Sequence, residues 1–398
     1  MVSRGDRVEI ENSGPAVSKS EVAVEVEVPR PFTWNFPNKA FAEAQTFRNV
    51  RANILAGHTG CERRISMRRH AASLVSASIF VGAALIASCA KPYHAKNERY
   101  VFVATNINLP YWRDAQAGFL DAAKALGVKG ELVGPTGYQP NAEMLMFRQI
   151  VEEEPTGICL SAARPEIFKV DIDKAVAKGI PVICVDADVP DSNRVLYIGT
   201  DNLKAGRESL KQMAALVSGS RSIAVITIPG QRNLDDRVAG VADALKNFPA
   251  IKLTKILDDK GDARNAFDQV SELIQKKDQV DGIICLEAAG GSGAAEAVHR
   301  FNMEGKMPIV AFDNDPETLD WIDRGAISAT VTQKPYVMSY YGLKFLDDLH
   351  HNAVHQFKDW HTALAVPAPA SVDTGTVVVD KSNLKLYRET LTPHPDSQ

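Results

Sequence analysis

The sequence predicts an α/β chain of two doubly wound parallel-sheet lobes joined by a hinge. Three observations carry this reading. From Arg99 onward, short β-branched runs alternate with longer amphipathic segments. The short runs are almost continuously hydrophobic, as in strands covered by helices on both faces. The alternation also exceeds one compact sheet and restarts near Thr200, which divides it into two similar halves.

In chain order, RYVFVATN reads as the first strand and DAQAGFLDAAKALG as a helix that Gly127 ends. GELVGPT is a strand and NAEMLMFRQIVEEE a helix. GICLSA, EIFKVDIDKAVAKG and PVICVDAD follow as strand, helix and strand, and LYIGT as a short strand. The second half runs NLKAGRESLKQMAALV, SIAVITIPG, DDRVAGVADALKNF, KLTKILDD, ARNAFDQVSELIQKK, DGIICLEA, GGSGAAEAVHRFN, MPIVAFDND, ISATVTQ and the helix YVMSYYGLKFLDDLHH. Ligands of such sheets sit at the carboxyl ends of the strands. Polar residues gather there: Asn106, Asn108, Ser161, Asp186, Asp188, Thr200, Asp201, Glu287, Asp313, Asn314 and Gln333. Two lobes whose polar strand ends face each other make a cleft that can close on a ligand.

Composition narrows the function classes. The net charge of −4 argues against a nucleic-acid binder held by phosphate contacts. Five cysteines in 398 residues do not make a disulfide framework. Cys159, Cys184 and Cys285 lie in apolar runs and read as buried thiols. Their spacing, with no histidine nearby, does not suit zinc. Gly290-Gly291-Ser292-Gly293 lacks the third glycine of a dinucleotide fingerprint and follows a late strand, so it reads as close helix packing. No G-x-S-x-G occurs. His350, His351, His355 and His361 read as solvated surface. The expectation is a protein without catalytic constellation, cofactor or metal.

Met67–Lys91 begins with Arg68, Arg69 and His70, continues through apolar and small residues from Ala71 to Ala87, and reaches Ser88 and Cys89. This order is that of a secretory signal peptide. Ile86-Ala87-Ser88-Cys89 resembles the bacterial lipobox, which would place cleavage before Cys89 and a lipid on its sulfur. Residues 1–66 hold scattered charge and proline, with no sustained period and no helix-turn-helix pattern. They are expected to be either an over-extended gene start or a disordered extension. The expected organisation is therefore extension 1–66, signal peptide 67–88 and linker 89–98. The first lobe follows as 99–200 plus 334–363, the second as 201–333 plus 364–388, and the tail as 389–398.

From about Asn97 to Arg388 the chain resembles the periplasmic sugar-binding proteins of the ribose-binding type, the substrate-binding components of ABC importers. The resemblance rests on NLPYWRDAQAGFLDAAKALG, KGIPVICVDADVPDSNRVLYIGTDNLKAGR, DDRVAGVADAL and PIVAFDNDPETLDWIDRGAISATVTQKPY, in this order and spacing. It implies the type I periplasmic binding protein fold and a neutral monosaccharide or polyol held between the lobes. It assigns Tyr111 and Trp112 to the aromatic pair on the sugar ring and Asp186 to hydroxyl binding. Arg237, in R-x-x-G with Gly240, becomes a sugar-binding arginine. Phe312 and Asp313 form an aromatic–aspartate pair, and Gln333 stands at a hinge crossing. Leu109, Ala187 and Glu287 replace an asparagine, an arginine and a second asparagine of ribose binders. Asn108 and Asp188 are candidate replacement contacts, and Ser161, Thr200 and Glu287 complete the candidate set. Asp201 is read as the cap of the helix that starts at Asn202.

Carboxylates accept two hydroxyls each, an arginine fork donates to two oxygens in a plane, and aromatics cover C–H faces. A carboxylate-rich cleft disfavours anionic sugars. Arg237 and Asp313 are expected to stay hydrated in an open cleft. The implied partners are an ABC permease and its ATPase, with the membrane reached only through a lipid at Cys89, no nucleic acid, and a monomeric chain. Location would be the periplasm or the outer face of the cytoplasmic membrane. The alternatives are a sugar receptor presenting its closed form to a sensor kinase or chemoreceptor, and a transcriptional regulator of the LacI type, for which residues 1–66 supply no DNA-binding helices.

Overall fold

The computed structural model describes residues 93–219, 221–351 and 368–391, which belong to a compact unit spanning Lys91–Gln398. The extension, the signal peptide and Cys89 lie outside the described residues. No helix among the described residues is long and apolar enough to cross a membrane.

The first lobe contains β1 (Arg99–Val103), α1 (Pro110–Leu126), β2 (Lys129–Val133), α2 (Pro140–Glu152), β3 (Gly157–Leu160), α3 (Pro165–Ala177), β4 (Val182–Val185) and β5 (Tyr197–Gly199). The chain then crosses into the second lobe. There it forms α4 (Asn202–Leu216), β6 (Arg221–Thr227), α5 (Arg232–Ala244), β7 (Ile251–Asp258) and α6 (Ala263–Gln275). It continues through β8 (Gly282–Cys285), α7 (Ala288–Arg300), β9 (Ile309–Phe312), α8 (Pro316–Arg324) and β10 (Ala329–Thr332). α9 (Pro335–His351) returns to the first lobe, as does β11 (Ser371–Asp373), before β12 (Val377–Asp380) and α10 (Leu384–Thr390) end in the second.

Among the described residues, each lobe is built on a six-stranded sheet. The strand orders are β11-β5-β4-β3-β1-β2 and β12-β10-β9-β8-β6-β7. All pairings are parallel except β10 with β12. The central strands β1, β3, β4, β8 and β9 are buried almost throughout, because helices cover both faces. The edge strand β7 alternates buried or half-buried with exposed residues, which fits its sequence IKLTKILD. Several helices begin on proline, whose missing N–H costs nothing in the first turn.

The sequence placed the third crossing near Leu364. The structure places it between Asp373 and Val377, because Ser371–Asp373 pair in parallel with β5 and so belong to the first sheet. A three-residue strand beside a proline-rich stretch leaves no periodic signal. α10 also carries the second lobe to Thr390, past the expected end at 388. Residues 93–98, expected as linker, pack against the first lobe, and Glu98 is buried.

Candidate functional site

The carboxyl ends of both sheets face one narrow cavity of about 50 Å³. The first lobe lines it with Thr105 and Asn106 after β1, Leu109, Tyr111 and Trp112 at the start of α1, Tyr138 before α2, and Asp186 after β4. The second lobe contributes Ile228, Gln231, Asn233, Leu234 and Arg237 around the start of α5, Gly261 before α6, Glu287 and Ala288 at the start of α7, and Asp313 after β9. Gln333 lines it from the hinge.

Asp186 is buried and receives three side-chain hydrogen bonds. Tyr111 donates its hydroxyl to Oδ1 at 2.7 Å, and Ser161 and Asn233 donate to Oδ2 at 3.2 Å. Asn233 belongs to the other lobe, so this last bond spans the cleft and marks a closed arrangement. Burial pushes the Asp186 carboxyl up, against the pull of Arg237, Tyr111 and Ser161. Asp313 is buried too. Burial raises it to about 7 while Arg237 and Gln333 oppose the rise.

Arg237 is 1% exposed. Its Nε donates to Oδ1 of Asn202 at 2.9 Å, and Nη1 donates to the Leu286 carbonyl at 2.7 Å. Nη2 donates to Oε1 of Gln333 at 2.7 Å, and the guanidinium lies 4.3 Å from the centre of the Phe312 ring. Gln333 Oε1 also accepts from Thr200 at 2.8 Å, and its amide donates to Oδ1 of Asp313 at 2.9 Å. Thr200 and Gln333 stand at the first two crossings. The hinge and the binding cavity therefore share one hydrogen-bond chain, Thr200–Gln333–Asp313 with Arg237 attached.

Two glycines explain where Arg237 sits. A Cβ on Gly240 would fall 2.2 Å from the Leu203 carbonyl oxygen, and one on Gly206 would fall 2.0 Å from that of Arg237. Only glycine lets α4 and α5 cross this closely, and the crossing delivers Arg237 to the cavity. The spacing Arg237-x-x-Gly240 thus has a packing origin.

Of the sequence-derived candidates, Tyr111, Trp112, Asp186, Arg237, Glu287, Asp313 and Gln333 meet around the cavity. Five do not line it. Asn108 is turned away and donates Nδ2 to the Thr136 carbonyl at 2.6 Å. Asp188 is engaged by Arg194, which donates Nη2 to Oδ2 at 2.8 Å and Nε to Oδ1. Both side chains are thus engaged outside the cavity. Ser161 orients Asp186, Thr200 holds Gln333, and Phe312 lies beneath Arg237, fully buried. Arg237 also departs from expectation. Asn202, Leu286 and Phe312 all belong to the second lobe, so opening the cleft would not hydrate it.

Glu287 touches the cavity but also caps α7, accepting from the amides of Ala289 at 2.7 Å and of Gly290. Asp259 lies beside it and is wholly buried. Burial and the neighbouring Glu287 carboxylate push Asp259 far above its ordinary value, so it holds a proton at neutral pH. Asp201 caps α4 by accepting from Lys204 N at 2.9 Å, as its position implied. The glycine run packs α7 on α6, since a Cβ at Gly293 would meet the Ala263 carbonyl at 2.1 Å. Cys159, Cys184 and Cys285 are buried free thiols.

Sequence reasoning missed Asn233, Gln231 and Tyr138 among the lining residues. Asn233 had a signal: it precedes Arg237 by four residues and shares its helix face. Tyr138 and Gln231 sit in turns, where no periodicity points.

Comparison with known proteins places these features in context. The model of the periplasmic binding protein domain matches residues 100–352. The D-allose-binding periplasmic protein of Escherichia coli is 24% identical over 259 residues, 63% of this chain and 83% of its own length. A sugar-binding protein of a sugar ABC transporter from Bacillus halodurans is 35% identical. Its structure superposes with a TM-score of 0.64, covering 73% of this chain and all of that one. The arabinose-binding protein AraP of Geobacillus stearothermophilus is also 35% identical, with a TM-score of 0.61 over 73% of this chain and 99% of its own.

Proposed function

Because the chain belongs to the periplasmic binding protein domain family, and within it to the sugar-binding proteins, we propose that it delivers a neutral monosaccharide or polyol to an ABC permease and its ATPase. The observation that carries the reading is the pairing of Asp186 and Asp313, one carboxylate from each lobe, across a cavity floored by Tyr111 and Trp112. Each carboxylate can accept sugar hydroxyls while the aromatic rings cover C–H faces. A ligand that bridges the two aspartates binds the closed form better than the open one. That differential affinity lets a permease tell a loaded receptor from an empty one.

The charge balance favours a neutral ligand. Asp186, Asp313 and Glu287 face a single guanidinium, that of Arg237. A sugar phosphate or uronate would bring a further negative charge into this space at a desolvation cost that Arg237, already bonded to three partners, does not offset. The chain is not an enzyme. Its proposed location is the periplasmic side, held through a lipid on Cys89.

The test is a melting-temperature screen followed by calorimetry, since a ligand of the native state raises its stability. Neutral pentoses, hexoses and polyols are compared with their phosphates and uronates. A neutral monosaccharide or polyol that shifts the transition at micromolar affinity supports the reading. Binding confined to the anionic compounds would overturn the ligand class.

A further inference from the structure

A second cluster lies at the opposite end of the first sheet. His94 and Glu98 lead into β1, and Asp347 and His351 lie one turn apart near the end of α9. Both are at the amino ends of the strands, away from the cleft. One potential ligand atom from each of the four residues falls within 4.8 Å of all the others. Nδ1 of His94 is 2.9 Å from Oε2 of Glu98 and 3.5 Å from Oδ1 of Asp347. Nε2 of His351 is 3.1 Å and 3.7 Å from the same two oxygens. Four ligands at about 2.0–2.1 Å from a tetrahedral ion stand about 3.3 Å apart, and the four distances bracket this edge.

The surroundings hold these groups in place. Glu98 and Asp347 are 5% and 4% exposed. Among the described residues, their ion pairs are to the two histidines, with no lysine or arginine. Two buried carboxylates without a permanent cation are costly, and a divalent ion removes that cost. The backbone amide of Ala95 donates to Oε1 of Glu98 at 2.6 Å, and the Tyr100 hydroxyl donates to Oδ1 of Asp347 at 3.1 Å. Such outer hydrogen bonds are what orient metal ligands. The Tyr93 ring stacks on His351 at 4.5 Å and meets His94 edge-on at 4.7 Å, which fixes both imidazoles.

We propose that His94, Glu98, Asp347 and His351 form a four-ligand site for a divalent transition ion, zinc foremost. Two imidazoles and two carboxylates suit zinc, and a set that supplies all four ligands is of the structural type, with no position left open for chemistry. The ion would clip the segment before β1 to the end of α9. His94 follows Cys89 by five residues in the sequence. If Cys89 carries the lipid, the clip fixes where the tether meets the lobe; the metal site itself does not depend on that reading. Surface was the expectation for His351, yet its side chain is only 13% exposed. Asp347 and His351 show the four-residue spacing that places side chains together on one helical turn, whereas His94 and Glu98 are brought together by the turn before β1.

The test uses the full chain, freed of metal with a chelator and titrated with Zn²⁺ and, separately, Co²⁺. The expected result is one ion per chain and a visible Co²⁺ ligand-field band of four-coordinate type. X-ray absorption should show nitrogen and oxygen ligands without sulfur. Zinc at about 100 times its Kd should raise the melting temperature by about 5 °C. His351→Ala and Asp347→Asn should abolish both signals and leave sugar affinity within about twofold. If the variants do not fold, the wild-type spectrum and stoichiometry decide alone. The absence of stoichiometric binding, a purely octahedral cobalt spectrum, sulfur ligation, or zinc retention by His351→Ala would each overturn the proposal.

Discussion

Asp186 and Asp313 hold equivalent positions in the two lobes. Each is the first residue after the fourth strand of its sheet, and each has a left-handed backbone, with φ of 66° and 67°. Each donates its N–H at 3.0 Å to the adjacent strand, Asp186 to Ile198 and Asp313 to Val331. Aspartate tolerates this conformation better than most residues. The turn places both carboxylates on the cavity, so one backbone device, used twice, supplies an acceptor from each side.

Replacing either aspartate should weaken sugar binding without removing the fold. A hydrogen bond to a charged group is worth about 1.5–3 kcal/mol, so the loss of one such bond raises Kd roughly 10- to 150-fold. Asp186→Asn and Asp313→Asn, measured by calorimetry, should each lose at least the lower figure. Near wild-type affinity in both would remove them from the site.

Arg237→Ala should destabilise the protein even without ligand. Removing one member of a buried, hydrogen-bonded charge network typically costs about 3–5 kcal/mol. Urea unfolding of the ligand-free variant should show it as a lower midpoint. Arg237→Lys should recover little, because an ammonium cannot reach Asn202, Leu286 and Gln333 in the planar fork they require. An unchanged midpoint would restore the view of a hydrated binding residue.

The stability of the closed arrangement should depend on the Asp313 proton. Its folded value of about 7 lies above its ordinary value of 3.8, so the folded state binds more protons between them. Stability contributed by this group is therefore greatest below about 3.8 and falls as pH rises toward 7. Asp313→Asn should flatten the unfolding free energy between pH 5 and 7. A slope identical to wild type would place the titration elsewhere.

Closure should be measurable in solution. Small-angle scattering should report a smaller radius of gyration when sugar saturates the protein. Asn233→Ala, which deletes the bond from the second lobe to Asp186, should reduce affinity by a factor of about 10 or less, as expected for a neutral donor at 3.2 Å to a charged acceptor. An unchanged radius on saturation would mean a rigid module.

Cys89→Ser should move the native protein from the membrane fraction to the soluble fraction. A variant that still pellets with membranes would refute lipidation at this residue.

The sequence by itself determined the two-lobe α/β architecture. Continuous apolar strands alternating with amphipathic helices can be buried in few other ways, and the restart near Thr200 marked the first crossing. It also pointed to Asp186, Asp313 and Gln333 as strand-end residues, and the family resemblance to Arg237; all four line the cavity. The tertiary structure alone decided what each residue does there. Asp188 is engaged by Arg194 outside the cavity, and Arg237, which lines the cavity, is bonded to its own lobe and the hinge. Those partners lie six to 96 residues away in the chain. The third crossing, the cross-cleft bond of Asn233 and the meeting of His94 with His351 are likewise contacts between distant segments. Local periodicity encodes which face of an element is buried; it carries no record of which distant side chain will be waiting on that face.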